Sequence, residues 1–436
     1  MPPDDDTDRA PVNPLDPTSP DACPVCRQMF ALGGKLLKAE SLLRTTQSQE
    51  DLDIPDYQRN FEFKINGVFY QVITDVAPIS VRPDDTLFLI NNWDIKQYAG
   101  DRTFPLLLGN YGQQSQQEYG FMSASEMTEA AQGIKRVGYL RLDIDQLGQI
   151  FGRGLRKAHT LPRLTGLSRQ MTYFFKVYLN SLARERQTNL PNPHSALMLD
   201  SDHKPHPRPN LLFIYAGGDD LFVSGAWNEV VEFAFDVYQS FRAYTGNHPD
   251  ITLSGGISLN DAKYPLYQAA EDAEQSEKQA KKNGRDSLGM FGEVFHWSEW
   301  LGFAETNILD EDDQKYLEPE VAPALLGVLP FVERLDQQLE VNQSRSFVRN
   351  LLATAQVQTQ MLKEIEDQQS LEAKDIRYFL HLPKIAYTIA RLPSRVRDDP
   401  NFDPVRTSLK SPYNAPYFRA IATWLECLTR SSMTPK

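Results

Sequence analysis

Two short acidic stretches of this sequence have residue types and spacing suited to phosphoryl chemistry. Leu211 to Ser224 reads L-L-F-I-Y-A-G-G-D-D-L-F-V-S. An apolar run (Leu211–Ala216) leads into Gly217-Gly218, then Asp219-Asp220, then a second apolar run from Leu221 to Ser224. Two β runs joined through a glycine pair predict a tight hairpin. Adjacent carboxylates beside the turn repel, and each raises the other's pKa. A divalent cation removes that conflict, and hard oxygen ligands suit Mg²⁺ or Mn²⁺. The second stretch, Val137–Asp145, reads V-G-Y-L-R-L-D-I-D. Asp143 and Asp145 are two residues apart and share one face of an extended chain. One carboxylate from this strand and one from the hairpin can clamp the same metal pair, as two-metal phosphoryl-transfer sites do. Taken singly, each stretch reads equally well as a surface turn or a strand end. The metal reading rests on their occurring together.

The elements that must position these residues follow in a regular order. The patterns predict strand 137–145, helix 167–183, the hairpin 211–224, helix 227–244, strand 251–259 and helix 264–283. That order is β-α-β-β-α-β, the ferredoxin-like arrangement, plus one further helix. It places both acidic groups on central strands. In the helix 167–183, Met171, Phe174, Phe175, Tyr178 and Leu182 face inward, and Ser168 and Arg169 open it, where a helix N-terminus is a natural anion site. Gly148, Gly152 and Gly154 punctuate a turn with Arg153, Arg156 and Lys157, read either as a phosphate cradle or as a plain loop. Gly255-Gly256 allows close backbone approach to its strand. The last helix carries Lys278, Lys281, Lys282 and then Arg285 at its end. Cations are favourable at any helix C-terminus, so their presence there is not by itself a ligand signal.

At these motifs the sequence resembles a known family. L-R-L-D-I-D-Q-L-G at 140–148, L-S-R at 167–169, Y-A-G-G-D-D-L-F at 215–222, L-S-G-G-I-S-L at 253–259 and K-Y-P at 263–265 are similar to the large, polymerase-palm subunit of type III CRISPR effector complexes, most closely subtype III-A. A-K-K-N-G-R-D at 280–286 is similar to the A-K-x-x-G-R-N stretch of GGDEF nucleotide cyclases. The resemblance runs from about Cys23 to the C-terminus. It implies a palm that makes cyclic oligoadenylate from ATP, with Mg²⁺ or Mn²⁺, once target RNA is bound, in antiviral defence. By the same resemblance Asp143, Asp219 and Asp220 are the metal-holding catalytic residues, and Asp145 is a weaker candidate. Gly217, Gly218, Ser168 and Arg169 lie near the nucleotide, and Lys281 with Arg285 meets the triphosphate. The implied partners are other effector subunits, guide RNA and a separate N-terminal half of the subunit.

The chain also departs from that family. Its members usually begin with an HD nuclease domain and a first palm, whereas this sequence contains no His-Asp dipeptide and has only 22 residues before Cys23. The expectation is a C-terminal half, from a split subunit or a truncated gene, without nuclease activity. Two other readings stay open. One is a scaffold subunit that binds nucleotide without turning it over. The other is a free-standing cyclic-dinucleotide synthase of the GGDEF type, in which Glu normally stands at the position of Asp220.

The flanks complete an α+β expectation. Residues 1–22 are rich in Pro and Asp and predict disorder. Residues 23–134 form a linker with a small β-rich segment, 135–299 the palm, and 300–436 a helical bundle that docks neighbouring subunits. Cys23-Pro-Val-Cys26 is half of a tetrahedral zinc site and needs ligands from elsewhere. Ala31–Leu43 predicts a short helix, and Asn66-Gly67 a hairpin between β runs. Phe61, Phe63, Phe69 and Tyr70 read as core. Residues 110–122 predict a Gln/Gly-rich loop. His194, His203 and His206 fall in a Pro-rich loop at 187–210 with no fixed spacing to another ligand. C-terminal helices are predicted at 323–341, 343–367, 371–392 (broken at Pro383) and 414–430.

Three cysteines do not make a disulfide framework. No apolar run has the length of a membrane span, and the acidic start M-P-P-D-D-D lacks a signal-peptide core, so a cytoplasmic protein is expected. The net charge of −13 excludes a generally basic nucleic-acid binder. The charge is uneven, however: from residue 341 onward 14 Lys/Arg face 9 Asp/Glu. That basic segment reads as solvated helix faces or as a surface that touches RNA.

Overall fold

The computed structural model describes residues 9–13, 18–51, 61–74, 82–113, 115, 121–185, 208, 210–302, 327–338, 341–367, 381–410 and 414–430. The three loop histidines and the predicted helix start at 371–380 lie outside the described residues. Within the first 22 residues, where disorder is predicted, Ala10–Pro11 pairs antiparallel with Asp21–Ala22.

A five-stranded sheet is formed by β1 (Ser41–Thr45), β2 (Phe61–Ile65), β3 (Val68–Ile73), β4 (Thr86–Ile90) and β5 (Thr103–Leu106). Asn66 and Gly67 both adopt positive φ, +48° and +79°, as a two-residue hairpin turn requires. Phe63 stacks on Tyr70 across the strands at 5.4 Å. The helix expected at Ala31–Leu43 is displaced. It runs as α1 from Pro24 to Leu36, with proline in its first turn. Leu42 and Leu43 belong instead to β1, which pairs on both sides, with β3 and β4.

The second sheet holds the acidic residues. Its strands are β6 (Val137–Ile144), β7 (Leu211–Ala216), β8 (Asp220–Ala226), β9 (Leu253–Asn260), β10 (Ser287–Met290) and β11 (Glu293–His296), in the order β11-β10-β9-β6-β8-β7. The four strands β9-β6-β8-β7 are mutually antiparallel and form the expected ferredoxin-like core. The pair β10 and β11 was not legible in the sequence. Four-residue strands show too little alternation to stand out.

Alternation along β6 divides the palm into two faces. Leu140, Leu142 and Ile144 enter the main core. So do Phe174 and Phe175, from a π-helical turn (Phe174–Tyr178) joining α3 (Leu161–Tyr173) to α4 (Leu179–Arg184), and Phe233 and Phe241 of α5 (Trp227–Tyr244). Val137 and Tyr139 face the other way, toward Met127 of α2 (Ala124–Ala130) and Ala269 of α6 (Leu266–Lys282). Helix α6 lies unusually close to the sheet. A Cβ on Gly256 would sit 2.3 Å from the Ala273 carbonyl oxygen and 2.3 Å from the Glu277 nitrogen, and one on Gly289 would sit 2.6 Å from the Ser276 oxygen. The glycines are therefore needed for approach, as the strand motif suggests.

The C-terminal helices are α8 (Leu329–Gln338), α9 (Val341–Asp367), α10 (Leu382–Ala390), α11 (Asp403–Lys410) and α12 (Phe418–Thr429), preceded by α7 (Trp297–Leu301). They share the palm's core. Trp424 of α12 stacks on Phe235 of α5 at 5.9 Å and meets Phe291 at 5.8 Å. Pro383 sits in the first turn of α10, where its missing N–H is harmless; the residues before 381, where the rest of that predicted helix would run, lie outside the described residues. Among the described residues no helix is long and apolar enough to cross a membrane.

Candidate active site

The palm brings its carboxylates together through register. Asp220, the first residue of β8, lies directly opposite Asp143 of β6. Side chains of directly opposed residues share a face, with Cβ atoms about 5 Å apart. That face is the one covered by α6. The turn between β7 and β8 is closed by the Gly217 N–H donating to the Asp220 carbonyl at 2.8 Å, and Ile144 N–H donates to the Asp219 carbonyl at 3.2 Å. Neither Gly217 nor Gly218 has a positive φ. Gly217 is required for space: a Cβ there would lie 2.3 Å from Asp220 Oδ1 and 2.4 Å from the Tyr215 hydroxyl.

The electrostatics follow from this crowding. Burial raises the Asp219 pKa, and the neighbouring charges of Asp220 and then Asp143 raise it further, opposed by Lys281. Tyr215 is half exposed, and its hydroxyl is raised by the Asp220 charge, then by burial and a hydrogen bond to the same carboxylate. Lys281 Nζ donates to Asp143 Oδ2 at 2.5 Å and to Glu277 Oε1 at 2.7 Å. Burial alone would lower the lysine pKa, but the bonds to Asp143 and Glu277 outweigh it and the net shift is upward. Glu277 also lies 3.5 Å from Arg141 Nε. A chain of alternating charge thus runs Arg141, Glu277, Lys281, Asp143.

The donor set fits a hard divalent cation: carboxylate oxygens on two neighbouring strands, one of them discouraged from ionising by the others. As they stand, though, no three His, Cys, Asp or Glu side chains among the described residues are gathered around one point. Asp143 is turned to Lys281, whose ammonium supplies the positive charge.

Several expected site residues are placed elsewhere. Asp145 shares the Asp143 face but is sealed, 2% exposed. It accepts from Thr252 Oγ1 and Ser254 Oγ at 2.7 Å each and from Asp286 N–H at 3.1 Å, so it braces the floor of the site. Ser168 and Arg169 do not open a helix. The helix begins at Leu161, after Thr160 and with proline in its first turn, so the N–H groups near 168 are taken up inside it. They stand one turn before Thr172, whose Oγ1 would be 3.3 Å from a Cβ on Gly218. Arg285 lies past the end of α6 in a left-handed turn, φ +87°, +71° and +47° for Gly284, Arg285 and Asp286. Its side chain meets none of the acidic residues among the described ones. Around Gly148–Gly154 the chain coils into short helical turns. Cys23 and Cys26 are exposed free thiols in the first turn of α1, and no third metal ligand joins them among the described residues.

Sequence reasoning missed Tyr215 and Glu277. Tyr215 reads only as an aromatic of a β run. Glu277 stands four residues before Lys281, the spacing of a helical ion pair, which was the available signal.

With this geometry in view, the chain can be set beside known proteins. Residues 136–289 match the family model described as Cas10/Cmr2, second palm domain. The palm is thus similar to the second palm domain of Cas10. A subtype III-A Cas10/Csm1 of Thermococcus onnurineus, named a CRISPR system single-strand-specific deoxyribonuclease, is 27% identical over 290 residues, covering 65% of this chain and 34% of that protein. A Csm1-Csm4 cassette solved in complex with one ATP superposes with a TM-score of 0.59 at 20% identity, over 93% of this chain and 50% of that one. A Csm1-Csm4 cassette in complex with cA4 superposes over 79% of this chain with a TM-score of 0.50 at 20% identity. At 20% identity the two cassette structures show a likeness of fold alone. The chain spans about a third of that Cas10/Csm1 relative and half of the first cassette chain.

Proposed function

We propose that this Cas10-type palm is a metal-dependent nucleotidyltransferase that joins ATP into cyclic oligoadenylate, within an effector assembly activated by target RNA. The observation that carries the reading is the cross-strand register of Asp143 and Asp220, with Asp219 beside them on the glycine turn. Asp143 and Asp220 are the residues that would hold Mg²⁺ or Mn²⁺, and Asp219 adds a third carboxylate. The ions would supply charge neutralisation at the transferring phosphoryl group and lower the pKa of the attacking 3′-hydroxyl. The chain's own groups then act by positioning. Gly217 keeps the Asp220 carboxylate over the turn. Glu277 fixes the direction from which Lys281 reaches the site. Lys281, once Asp143 has another counter-charge, is free to hold the triphosphate, with Arg285 reaching in from the turn after α6. Ser168 and Arg169 would border the nucleotide from α3, alongside Gly217 and Gly218. ATP selection and activation by RNA are carried over from the family resemblance, as are Csm4-type and guide-RNA partners and the cytoplasmic location. The deoxyribonuclease in the relative's name belongs to that longer protein.

The test is ATP turnover with Mg²⁺ or Mn²⁺ by the assembly purified from its host, with target RNA added and products identified by mass. Adenylate products from wild type and none from Asp219→Ala/Asp220→Ala support the reading. An assembly that binds target RNA yet makes no adenylate product would replace it with the silent scaffold, a reading that the Lys281–Asp143 pair favours. Cyclic dinucleotides made from GTP would point instead to the GGDEF type.

A further inference from the structure

One cavity of the described structure lies away from the acidic site. It has a volume of about 810 Å³ and opens between Ile134–Arg136, one face of α9 and the last turn of α12. Arg136 directly precedes β6, whose far end carries Asp143. Seven residues at about 3.3 Å each place the two sites roughly 20 Å apart.

The cavity is basic at its rim and apolar at its floor. Its described lining includes Lys135, Arg136, Arg345, Arg349 and Arg430 against one carboxylate, Glu426. Three of these cations are engaged: Lys135 with the carbonyls of Glu129 and Ala131, Arg136 with Asp261, and Arg430 with Glu426 at 3.4 Å. Arg345 and Arg349 are exposed and have no ion pair among the described residues. They stand four residues apart on α9, so their guanidinium groups project from one face. Beneath them Val348 and Leu352 of the same face join Ile134 and Cys427. This floor is fixed. Ile134 N–H donates to the Cys427 carbonyl at 2.8 Å, and Gly133, at φ +59°, packs so closely that a Cβ would lie 2.0 Å from that oxygen. The Cys427 thiol is pushed up to about 12 by burial and takes part as an apolar surface.

Two unpaired guanidinium groups over an aliphatic floor suit a ligand with phosphates at one end and a flat, weakly polar body at the other. The described lining contains no aromatic ring, the usual platform for successive bases of a single strand. We infer that this cavity is a second, metal-independent anion site that takes a free nucleoside polyphosphate. Its concentrated positive charge in an otherwise acidic chain would draw such a ligand in. The inference is independent of the reading given to the palm.

The test is calorimetric titration of the full chain with ATP in EDTA, where the acidic site repels triphosphate. One ATP per chain is expected, with affinity unchanged in Asp219→Ala/Asp220→Ala. Arg345→Ala/Arg349→Ala should weaken binding by tenfold or more, the scale of losing charge-assisted bonds. Both residues are exposed, and an unchanged melting temperature would confirm that the variant folds. A single Arg349→Glu variant provides a second check on the same face. Inorganic triphosphate should bind at least tenfold more weakly than ATP, because it leaves the floor uncovered. The inference is overturned by no ATP binding at millimolar concentration, or by equal binding of inorganic triphosphate. Retention of full affinity in Arg345→Ala/Arg349→Ala, or binding of a short RNA in place of ATP, would also overturn it.

Discussion

Gly217→Ala tests the site more sharply than removal of a carboxylate, because it adds one methyl group and leaves every charge in place. The new Cβ would lie 2.3 Å from Asp220 Oδ1 and 2.4 Å from the Tyr215 hydroxyl. Ordinary contact requires both groups to retreat by about 1 Å, and a misplacement of that size at a reacting centre costs on the order of 100-fold in rate. Stability should barely change. The backbone at 217 has no positive φ, and the atoms in the way are ends of side chains that can swing toward solvent. Replacing glycine also removes freedom from the unfolded chain, worth about 0.4–1 kcal/mol, which offsets residual strain. The assay is initial rate of adenylate formation by the RNA-activated assembly, paired with thermal denaturation of the same preparation. A rate within threefold of wild type at unchanged melting temperature would refute the claim that this turn sets the Asp220 position. A large fall in melting temperature would instead show that the glycine holds the hairpin itself.

Other consequences can be measured alongside. Gly256→Ala meets backbone atoms of α6 rather than movable side-chain ends, so it should destabilise by about 1–3 kcal/mol in urea denaturation and also reduce activity by displacing Lys281. Asp219 has its folded pKa raised by burial and by Asp220 and Asp143. Its protonated form favours folding, so that contribution is full below the ordinary carboxylate pKa and is lost as pH rises through the folded value. Asp219→Asn should therefore raise the melting temperature in EDTA at neutral pH, a gain that shrinks on acidification, while Mg²⁺ should stabilise wild type more than the variant. Lys281→Ala frees Asp143 from its 2.5 Å partner; Mg²⁺ should bind more tightly while the KM for ATP rises, and a KM left unchanged would remove Lys281 from triphosphate binding.

Much of the palm could be read from sequence because its signals were local. The two-residue spacing of Asp143 and Asp145 in an apolar β run assigned their shared face before any pairing was known. The helix at Trp227–Tyr244 was legible at both ends, with Gly246 adopting φ +65° just beyond it. The misses depended on competition between signals or on distant contacts. The start at Thr160-Leu161-Pro162 was overlooked in favour of the apolar run from Leu167, which misplaced Ser168 and Arg169 at a helix end. The sealing of Asp145 depends on Thr252, Ser254 and Asp286, more than 100 residues away in the chain, and alternation within a strand cannot reveal what will later cover its face.

That contrast between Asp143 and Asp145 accounts for the division of labour in the site. Both project from the same face of one strand, and the α6 segment decides what each becomes. Past its C-terminus the chain turns through three left-handed residues, bringing the Asp286 N–H down onto Asp145 and closing that carboxylate off from ions. In its last turn, the same helix places Lys281 on Asp143, a partner that a stronger cation can displace. The helix reaches both positions only because Gly256 and Gly289 let it approach the sheet. A buried carboxylate with three donors is a brace. A partly exposed one held by a single flexible ammonium remains available for exchange, because a paired lysine near solvent holds it only weakly. The glycine-lined seat of α6 is therefore as much a part of the site as the carboxylates, and substitutions there should impair activity without touching an acidic residue.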